Sequence, residues 1–228
     1  KINQKAVTVT ADNKEKVYDN NPSTDPELTA QIVGTITGET VQYEITRVAG
    51  QAVGNYAISV TGDADQGNYI VSFVNGTFKI TKAGADQLGL SAQPYNEAQD
   101  GEAHSITAAA NVEGATLYYT TTAPASEDDL ETGRNWSTTA PTWTDVTAAQ
   151  TVYVKAEHHD YETAYASATV TITKKAITAN ATDTAPYDGT PKTLTITAND
   201  ASGVVSGETL TLTGATITGT DKGVYEDV

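Results

Sequence analysis

The 228 residues carry 13 basic and 29 acidic side chains, and a net charge of −16 opposes binding to nucleic acid or to an anionic membrane surface. The chain has no cysteine and no methionine, which excludes disulfides and soft-metal sites as sources of stability. No apolar run approaches the roughly 18 residues that a membrane-spanning helix needs. We therefore expect neither nucleic acid binding nor membrane insertion.

The first part of the chain alternates apolar and polar residues with a period of two. Residues 5–11, 41–46 and 77–80 show this pattern, which predicts half-buried antiparallel strands. Asn75-Gly76 separates two such runs, and this dipeptide predicts a hairpin with a type I′ turn because both central residues of that turn need a positive φ.

The middle of the chain shows the same period in residues 116–120, 151–156 and 168–172. No segment carries a helical stripe over twelve residues. With turn signals every ~8–12 residues, the sequence predicts small antiparallel β-sandwiches of immunoglobulin-like type. A β-grasp-like module is the alternative.

Four short motifs recur in the same order at the start and at the end of the chain. The pairs are Lys5-Ala6-Val7-Thr8 with Lys175-Ala176-Ile177-Thr178, Tyr18-Asp19 with Tyr187-Asp188, Gly38-Glu39-Thr40 with Gly207-Glu208-Thr209, and Gly54-Asn55-Tyr56 with Gly223-Val224-Tyr225. The spacing of the last two motifs is identical in both copies. Chance similarity does not keep register over such a distance, so the two regions are interpreted as copies of one design.

The motifs divide the chain into a first repeat (residues 1–82), a middle segment (residues 83–174) and a third repeat (residues 175–228). The third repeat is shorter than the first, and we expect it to be truncated at its C-terminal side. Lys-Ala pairs mark both borders, and no Gly/Ser linker separates the modules, so their orientation should be restricted. A monomeric, elongated array is expected.

The two repeats resemble the bacterial surface domains known as MBG and YDG domains. The resemblance rests on the opening Lys-Ala-Val/Ile-Thr, Tyr187-Asp188-Gly189, Gly-Glu-Thr and Gly-x-Tyr, although Asn20 replaces the glycine in the first copy. The middle segment is similar to Ig-like modules that alternate with such repeats. The resemblance implies a secreted, cell-wall-attached protein of a Gram-positive or gut-associated bacterium, whose modules act as stalk or adhesive surface. It implies no catalytic residues.

Trp136 and Trp143 are the candidate ligand-binding residues, together with Asn135. They are the two tryptophans of the chain and lie in a polar, loop-like stretch of the middle segment, where an exposed indole can stack on a sugar ring. Packing into a small core is the alternative interpretation, and it is favoured for Trp143.

Two other kinds of site have weaker support. An acidic run at residues 127–131 and the pair Asp63 and Asp65 offer oxygen ligands for a structural calcium ion, but a solvated loop explains them better. Of the three histidines, His104, His158 and His159, the adjacent pair His158-His159 is interpreted as part of a turn, and no cofactor and no catalytic site is expected. A Lys-to-Asn or Lys-to-Asp isopeptide bond is a further possibility that the sequence does not decide.

Two functions remain open from the sequence. The first is a non-catalytic stalk or adhesin module, in which the Tyr-Asp and Gly-x-Tyr motifs form turns and the tyrosine hydroxyls bond to the backbone. The second is a carbohydrate- or mucin-binding module centred on the Trp136 face, with host glycans or proteins as partners.

Overall fold

The computed structural model describes residues 2–123, 135–179, 184–197, 201–211, 216–221 and 223. The regular structure of these residues is β-strand, apart from two short 3₁₀ turns at Pro22–Thr24 and Ala85–Leu88. None of the described segments forms a helix with the length and apolar character needed to cross a membrane. The all-β fold predicted from the period-two patterning is confirmed.

The first repeat forms two four-stranded sheets. One sheet has the order β3-β1-β7-β6, with β1 (Lys5–Ala11), β3 (Ala30–Val33), β6 (Asp65–Gln66) and β7 (Tyr69–Val74). The other has the order β2-β8-β5-β4, with β2 (Lys14–Val17), β4 (Glu44–Arg47), β5 (Gly54–Thr61) and β8 (Gly76–Thr81). Buried residues of both sheets form one core cluster, which makes the repeat a β-sandwich.

Alternation along each strand builds this core. Val7 and Val9 of β1 are buried, and the threonines between and after them are not. From the other sheet, Ile58 and Phe78 are completely buried. Burying each such side chain contributes roughly 1.5–3 kcal/mol.

The hairpin predicted at Asn75-Gly76 is wrong. β7 and β8 lie in different sheets, where β7 pairs in parallel with β1 and β8 pairs in parallel with β2. Gly76 has another role, because a Cβ there would lie 2.9 Å from the carbonyl oxygen of Ala11. An Asn-Gly pair therefore marks a close approach of two backbones here, and the local pattern cannot distinguish this from a turn. The sheets contain parallel as well as antiparallel pairs, so the prediction of purely antiparallel sheets is wrong.

The part of the middle segment that the structure describes forms a four-stranded sheet and a separate two-stranded pair. The sheet order is β10-β14-β13-β12 and the pair is β11-β9, formed by β9 (Ser91–Gln93), β10 (Tyr95–Ala98), β11 (Thr107–Ala109), β12 (Thr116–Thr120), β13 (Thr147–Glu157) and β14 (Ala164–Thr173). Val152, Val154, Val170 and Ile172 are buried by alternation. The three strands predicted for this segment are confirmed.

The described residues of the third repeat form two antiparallel strand pairs. They are β15–β17 and β16–β18, formed by β15 (Thr178–Ala179), β16 (Lys192–Thr195), β17 (Ala201–Ser202) and β18 (Thr216–Gly219). In the first pair Thr178 lies opposite Ser202, and in the first repeat Thr8 lies opposite Val33. These residues correspond in the repeat alignment, so the strand register agrees with it.

The chain folds into two compact units. The first compact unit contains Lys1–Ser91, Ala109–Leu117 and Lys155–Tyr165, and the second contains Ala92–Ala108, Tyr118–Val154 and Ala166–Val228. The middle segment thus contributes residues to both units. The boundaries predicted at residues 82 and 174 stay a prediction.

Candidate functional site

Trp136 lies beside a short strand contact of the second compact unit. Its neighbour Ser137 exchanges backbone hydrogen bonds with Tyr119, at 2.7 Å and 3.0 Å. The Trp136 side chain is half-buried and its indole nitrogen is shielded from solvent, while Asn135 is exposed. Trp136 therefore does not present a fully exposed ring to a ligand.

Trp143 lies in a different place, opposite His104. The two residues exchange backbone hydrogen bonds of 2.9 Å in both directions as an antiparallel bridge. Residues directly opposite each other in such a pair project their side chains to the same face. The His104 ring also stacks on the Tyr95 ring, with centroids 4.1 Å apart and an angle of 10° between the planes. Tyr95, His104 and Trp143, all half-buried, form what we call the aromatic row.

A carboxylate joins the aromatic row. Asp100 Oδ1 lies 2.8 Å from Nε2 of His104 and accepts a second hydrogen bond, from the Glu102 N–H at 2.9 Å. These two contacts lower the pKa of Asp100. Burial, followed by the negative charges of Asp100 and Glu97, raises the pKa of Tyr95. Flat rings next to an ionised carboxylate are groups that can bind a sugar, through stacking and through its hydroxyls.

A second polar cluster lies at one end of the first repeat. The Lys16 ammonium group is 2.6 Å from Asp19 and 3.1 Å from Asp25, and the Lys16 side chain is only 7% exposed. Arg47 binds the other oxygen of Asp25 through two nitrogens, and its guanidinium carbon lies 4.5 Å from the centre of the Phe78 ring. We call Lys16, Asp19, Asp25 and Arg47 the charge network.

The charge network bears on the isopeptide alternative, because it places a buried lysine beside two aspartates. Amide formation needs a neutral amine to act as nucleophile. Burial alone lowers the pKa of Lys16, but hydrogen bonds to Asp19 and Asp25 outweigh it and raise that pKa. Burial alone raises the pKa of Asp25, but hydrogen bonds from Arg47 and Lys16 outweigh it and lower that pKa. These protonation states favour ion pairing and oppose amide formation.

The third cluster surrounds Asp160, within the first compact unit. The Asp160 carboxylate accepts a hydrogen bond from the Val53 N–H at 2.7 Å and lies 2.8 Å from Nδ1 of His159. Its backbone carbonyl accepts a hydrogen bond from Ala83 N–H at 3.0 Å, and Ala83 in turn accepts one from Glu162 N–H at 2.8 Å. Burial raises the pKa of Asp160, but the Val53 and His159 contacts outweigh it and lower that pKa.

Aromatic rings continue this cluster. Tyr161 contacts Tyr18 edge-on at 5.4 Å between ring centroids, and His158 contacts Tyr161 edge-on at 5.2 Å. Asp160 and His159 occupy a turn, as predicted for this histidine pair. We call Asp160, Tyr161, Tyr18 and Ala83 the joint. Tyr18 belongs to the recurring Tyr-Asp motif, but the sequence gives no sign of its contact with Tyr161, because the two positions are far apart in the chain.

The motif Gly54-Asn55-Tyr56 has the structural role predicted for it, and so does a second Gly-x-Tyr motif of the first repeat, Gly67-Asn68-Tyr69. Tyr56 donates its hydroxyl to the carbonyl of Ala52 at 2.8 Å. Tyr69 accepts a hydrogen bond from the Ile36 N–H at 3.0 Å and donates to Glu39 at 2.6 Å. Both hydroxyls thus bond to the backbone of nearby turns.

The acidic residues proposed for calcium are only partly described. Residues 127–131 lie outside the described part of the chain. Asp65 accepts a hydrogen bond from Gln4 at 2.6 Å. Among the described residues, no three His, Asp or Glu side chains come together in a group that could hold a metal ion.

Residues 7–79 match the family model described as MBG domain (YGX type). This range covers nearly the whole sandwich of the first repeat, from β1 to β8. The first repeat therefore has the MBG-type domain that its motifs resemble, a domain generally found in extracellular surface proteins. No curated protein matches the chain.

Among solved structures, the chain is similar to protocadherin gamma B7 extracellular cadherin domains 1–4, with 9% identity and a TM-score of 0.27 over 84% of this chain and 58% of that one. It is also similar to Sidekick-1 immunoglobulin domains 1–5, with 11% identity and a TM-score of 0.23 over 82% of this chain and 45% of that one. The chain thus spans about half the length of both structures. Neither likeness is close enough to support a functional conclusion.

Proposed function

We propose that this chain is a non-catalytic stalk segment of a cell-wall-attached bacterial surface protein, in which folded β modules resist tension along the chain. The observation that carries the proposal is the pairing of the first and last strands. In the first repeat, β1 runs parallel to β7, from Lys5 opposite Tyr69 to Thr10 opposite Val74, and β2 runs parallel to β8 in the other sheet with the same offset, from Lys14 opposite Phe78 to Val17 opposite Thr81. In the middle segment, Tyr95–Ala98 runs parallel to residues 170–173 of β14.

Parallel pairing of this kind opposes extension. When the two ends of a module are pulled apart, its first and last strands slide past each other, so their ladder hydrogen bonds are strained together. An antiparallel pair pulled from its open end instead loses its hydrogen bonds one after another. Forced unfolding is governed by the unfolding rate. Because many hydrogen bonds must break together in the parallel pair, we expect that pair to unfold more slowly under force than an unzipped antiparallel pair.

The joint supports the same role. Ala83, at the border where a flexible stalk would have a linker, is completely buried, and both of its backbone polar groups are hydrogen-bonded to the segment Lys155–Tyr165. A border residue held in this way does not behave as a flexible linker. At this border the chain is therefore fixed by packing and hydrogen bonds to the segment Lys155–Tyr165.

Single-molecule pulling tests the stalk proposal. The chain has no native cysteine, so cysteines added at chosen positions give unique attachment points. Handles on Ile2→Cys and Lys82→Cys strain the parallel pair. Handles on Ile2→Cys and Thr35→Cys instead unzip the antiparallel β1–β3 pair and serve as the matched control. We expect a clearly higher unfolding force in the first geometry, and equal forces would contradict a mechanical role.

Glycan binding by the aromatic row is a second candidate function. Three rings on one face beside the ionised Asp100 favour it, and this site replaces the Trp136 face as the more suitable surface for host glycans. A glycan and mucin array with the intact chain tests it. Binding that is lost in Asp100→Ala and kept in Trp136→Ala supports the aromatic row, the reverse supports the Trp136 and Asn135 face, and no binding contradicts both.

A further inference from the structure

Each repeat presents two turns built in the same way. Residues 18–39 align with residues 187–208 without insertion or deletion. At the Tyr-Asp turn, Asp19 accepts a hydrogen bond from the Asn21 N–H at 2.9 Å, and Asp188 accepts one from the Thr190 N–H at 3.0 Å. At the turn before Gly-Glu, Glu39 N–H donates to the Ile36 carbonyl at 2.9 Å, and Glu208 N–H donates to the Val205 carbonyl at 3.1 Å.

The Tyr-Asp turn is covered in the first repeat and open in the third. Tyr18 is half-buried and packs edge-on against Tyr161 of the middle segment, next to Asp160 and Ala83. Tyr187, its aligned counterpart, is 72% exposed. The same residue on the same kind of turn therefore has two different surroundings within one chain.

The Gly-Glu turn shows the opposite distribution. In the third repeat, Val205 is only 6% exposed, and a Cβ on Gly101 of the middle segment would lie 2.8 Å from its Cγ1. Gln99 donates a hydrogen bond to Glu208 at 3.0 Å beside it. In the first repeat, the aligned Ile36 is 54% exposed. Both coverings come from residues of the middle segment.

We propose that the exposed Tyr187 turn and the exposed Ile36 turn are docking surfaces for further modules of the kind formed by residues 83–174. One such module would place its copy of Asp160-Tyr161 on Tyr187, and another would place its copy of the Gln99–Gly101 turn on Ile36. The inference rests on the proposed stalk role and names its partner. Each repeat then receives a module at its Tyr-Asp turn and another at its Gly-Glu turn.

The two occupied turns show what the partner must provide. The Tyr-Asp turn takes a tyrosine whose ring meets it edge-on, a preferred geometry for aromatic pairs. The Gly-Glu turn takes a glycine, because Gly101 leaves room for the branched side chain of Val205, and an amide donor such as Gln99. In an array, the covalent connection gives the neighbouring module a high effective concentration, so neither surface needs a high intrinsic affinity. We therefore expect a separate, unlinked module to bind either surface weakly.

Fusion proteins that keep the whole chain test the Tyr187 surface. Val228 aligns with Ser59, so residues 60–174 added after Val228 continue the alignment with the first repeat and supply a second module. The readout is oxidation of Tyr18 and Tyr187 by hydroxyl radicals. We expect Tyr187 to react several-fold faster than Tyr18 in the original chain and to fall to the level of Tyr18 in the fusion. A fusion ending at the copy of Lys82 is the control and should leave Tyr187 reactive.

A second fusion tests the Ile36 surface and removes only residues 1–4 from the first repeat. Residues 83–174 are joined directly before Lys5, as they are joined to Lys175 in the chain. A soluble paramagnetic agent should broaden the Ile36 methyl signals several-fold less in this fusion than in the original chain. Replacing the copy of Gln99 by alanine should partly reverse this protection.

Unchanged Tyr187 reactivity and unchanged Ile36 broadening in the two fusions would overturn the inference. So would protection of Tyr187 that survives alanine at the copies of Asp160 and Tyr161, because the added module would then act elsewhere. If the chain shows the higher unfolding force expected for a stalk but both turns stay exposed in the fusions, the proposed function stands and only the docking inference fails. If both turns become protected but the unfolding force is equal in the two pulling geometries, the docking inference stands and the mechanical role fails.

Discussion

The first and third repeats share turns and strand register, yet their polar clusters differ. Of the charge network in the first repeat, Asp19 recurs as Asp188, whereas the residues aligned with Lys16, Asp25 and Arg47 are Ala185, Leu194 and Thr216. The turn residues, by contrast, recur in both. Recurring residues, Asp19 among them, therefore set the backbone path at the turns, while the other three charges of the network are specific to the first repeat and are replaced by uncharged residues in the third.

A core substitution in the first repeat should give the largest difference in stability between the two repeats. Phe78→Ala deletes a completely buried ring between the sheets and should destabilise the first repeat by about 3–5 kcal/mol. Hydrogen exchange should show lost protection in β1, β5 and β8 and unchanged protection in β16 and β18. Equal loss in the third repeat would show that the two copies unfold together.

Alanine at the shared glycine tests whether the two backbones are equally constrained. Gly34 has a φ of 110°, and a Cβ there would lie 2.5 Å from the carbonyl oxygen of Ala6. Gly203 has a φ of 91°, with the corresponding contact to Ala176 at 2.9 Å. We expect Gly34→Ala to lower the free energy of unfolding by about 2–3 kcal/mol. Gly203→Ala should have a smaller effect in the same urea titration, and the opposite order would contradict the closer approach at Gly34.

Replacing residues of the charge network by the aligned residues of the third repeat should show whether the charges stabilise the fold or only neutralise one another. Asp25→Leu leaves Lys16 and Arg47 without their shared carboxylate and should cost about 2 kcal/mol. The triple change Lys16→Ala, Asp25→Leu and Arg47→Thr should recover part of this loss. A triple variant less stable than Asp25→Leu would show that the cations gain stability from other partners.

The charge network also makes a pH prediction. Because the folded state lowers the pKa of Asp25 below its usual 3.8, its ionised form stabilises the repeat above that pH, and the contribution disappears as the pH falls through the folded pKa. The stability difference between the wild type and Asp25→Asn should therefore be full near neutral pH and vanish in strong acid. Thermal unfolding across this range measures it, and a constant difference would contradict the ion pairing.

The smallest expected contrast is at the Tyr-Asp turns. Tyr18→Ala removes a half-buried ring and its edge-on contact with Tyr161, and should lower the free energy of unfolding by about 1–2 kcal/mol. Tyr187→Ala removes an exposed ring and should change it by less than about 0.5 kcal/mol. Chemical denaturation of the two variants side by side provides the measurement. Equal effects would mean that Tyr187 is packed in solution.

The candidate sites were only partly predictable. Trp143 was identified from its residue type, but its pairing with His104 and the stacking of His104 on Tyr95 required the fold, because the three positions are separated by strands and loops. Asp160 and Tyr161 were recognised only as part of a turn. Their contacts with Val53 and Tyr18 join distant parts of the chain, and no local signal reports such contacts.

The sequence by itself determined the strands and the repeat. Alternation of apolar and polar residues acts between neighbouring positions, and Asp19 with Asp188 shapes each turn through a hydrogen bond two residues away, so both leave a local pattern. Tertiary structure decided which strands share a sheet: Asn75-Gly76 became a crossing between sheets because residues 5–17 run beside residues 69–81. It also decided that Tyr18 is covered and Tyr187 is exposed, since burial depends on a neighbour that the motif does not encode.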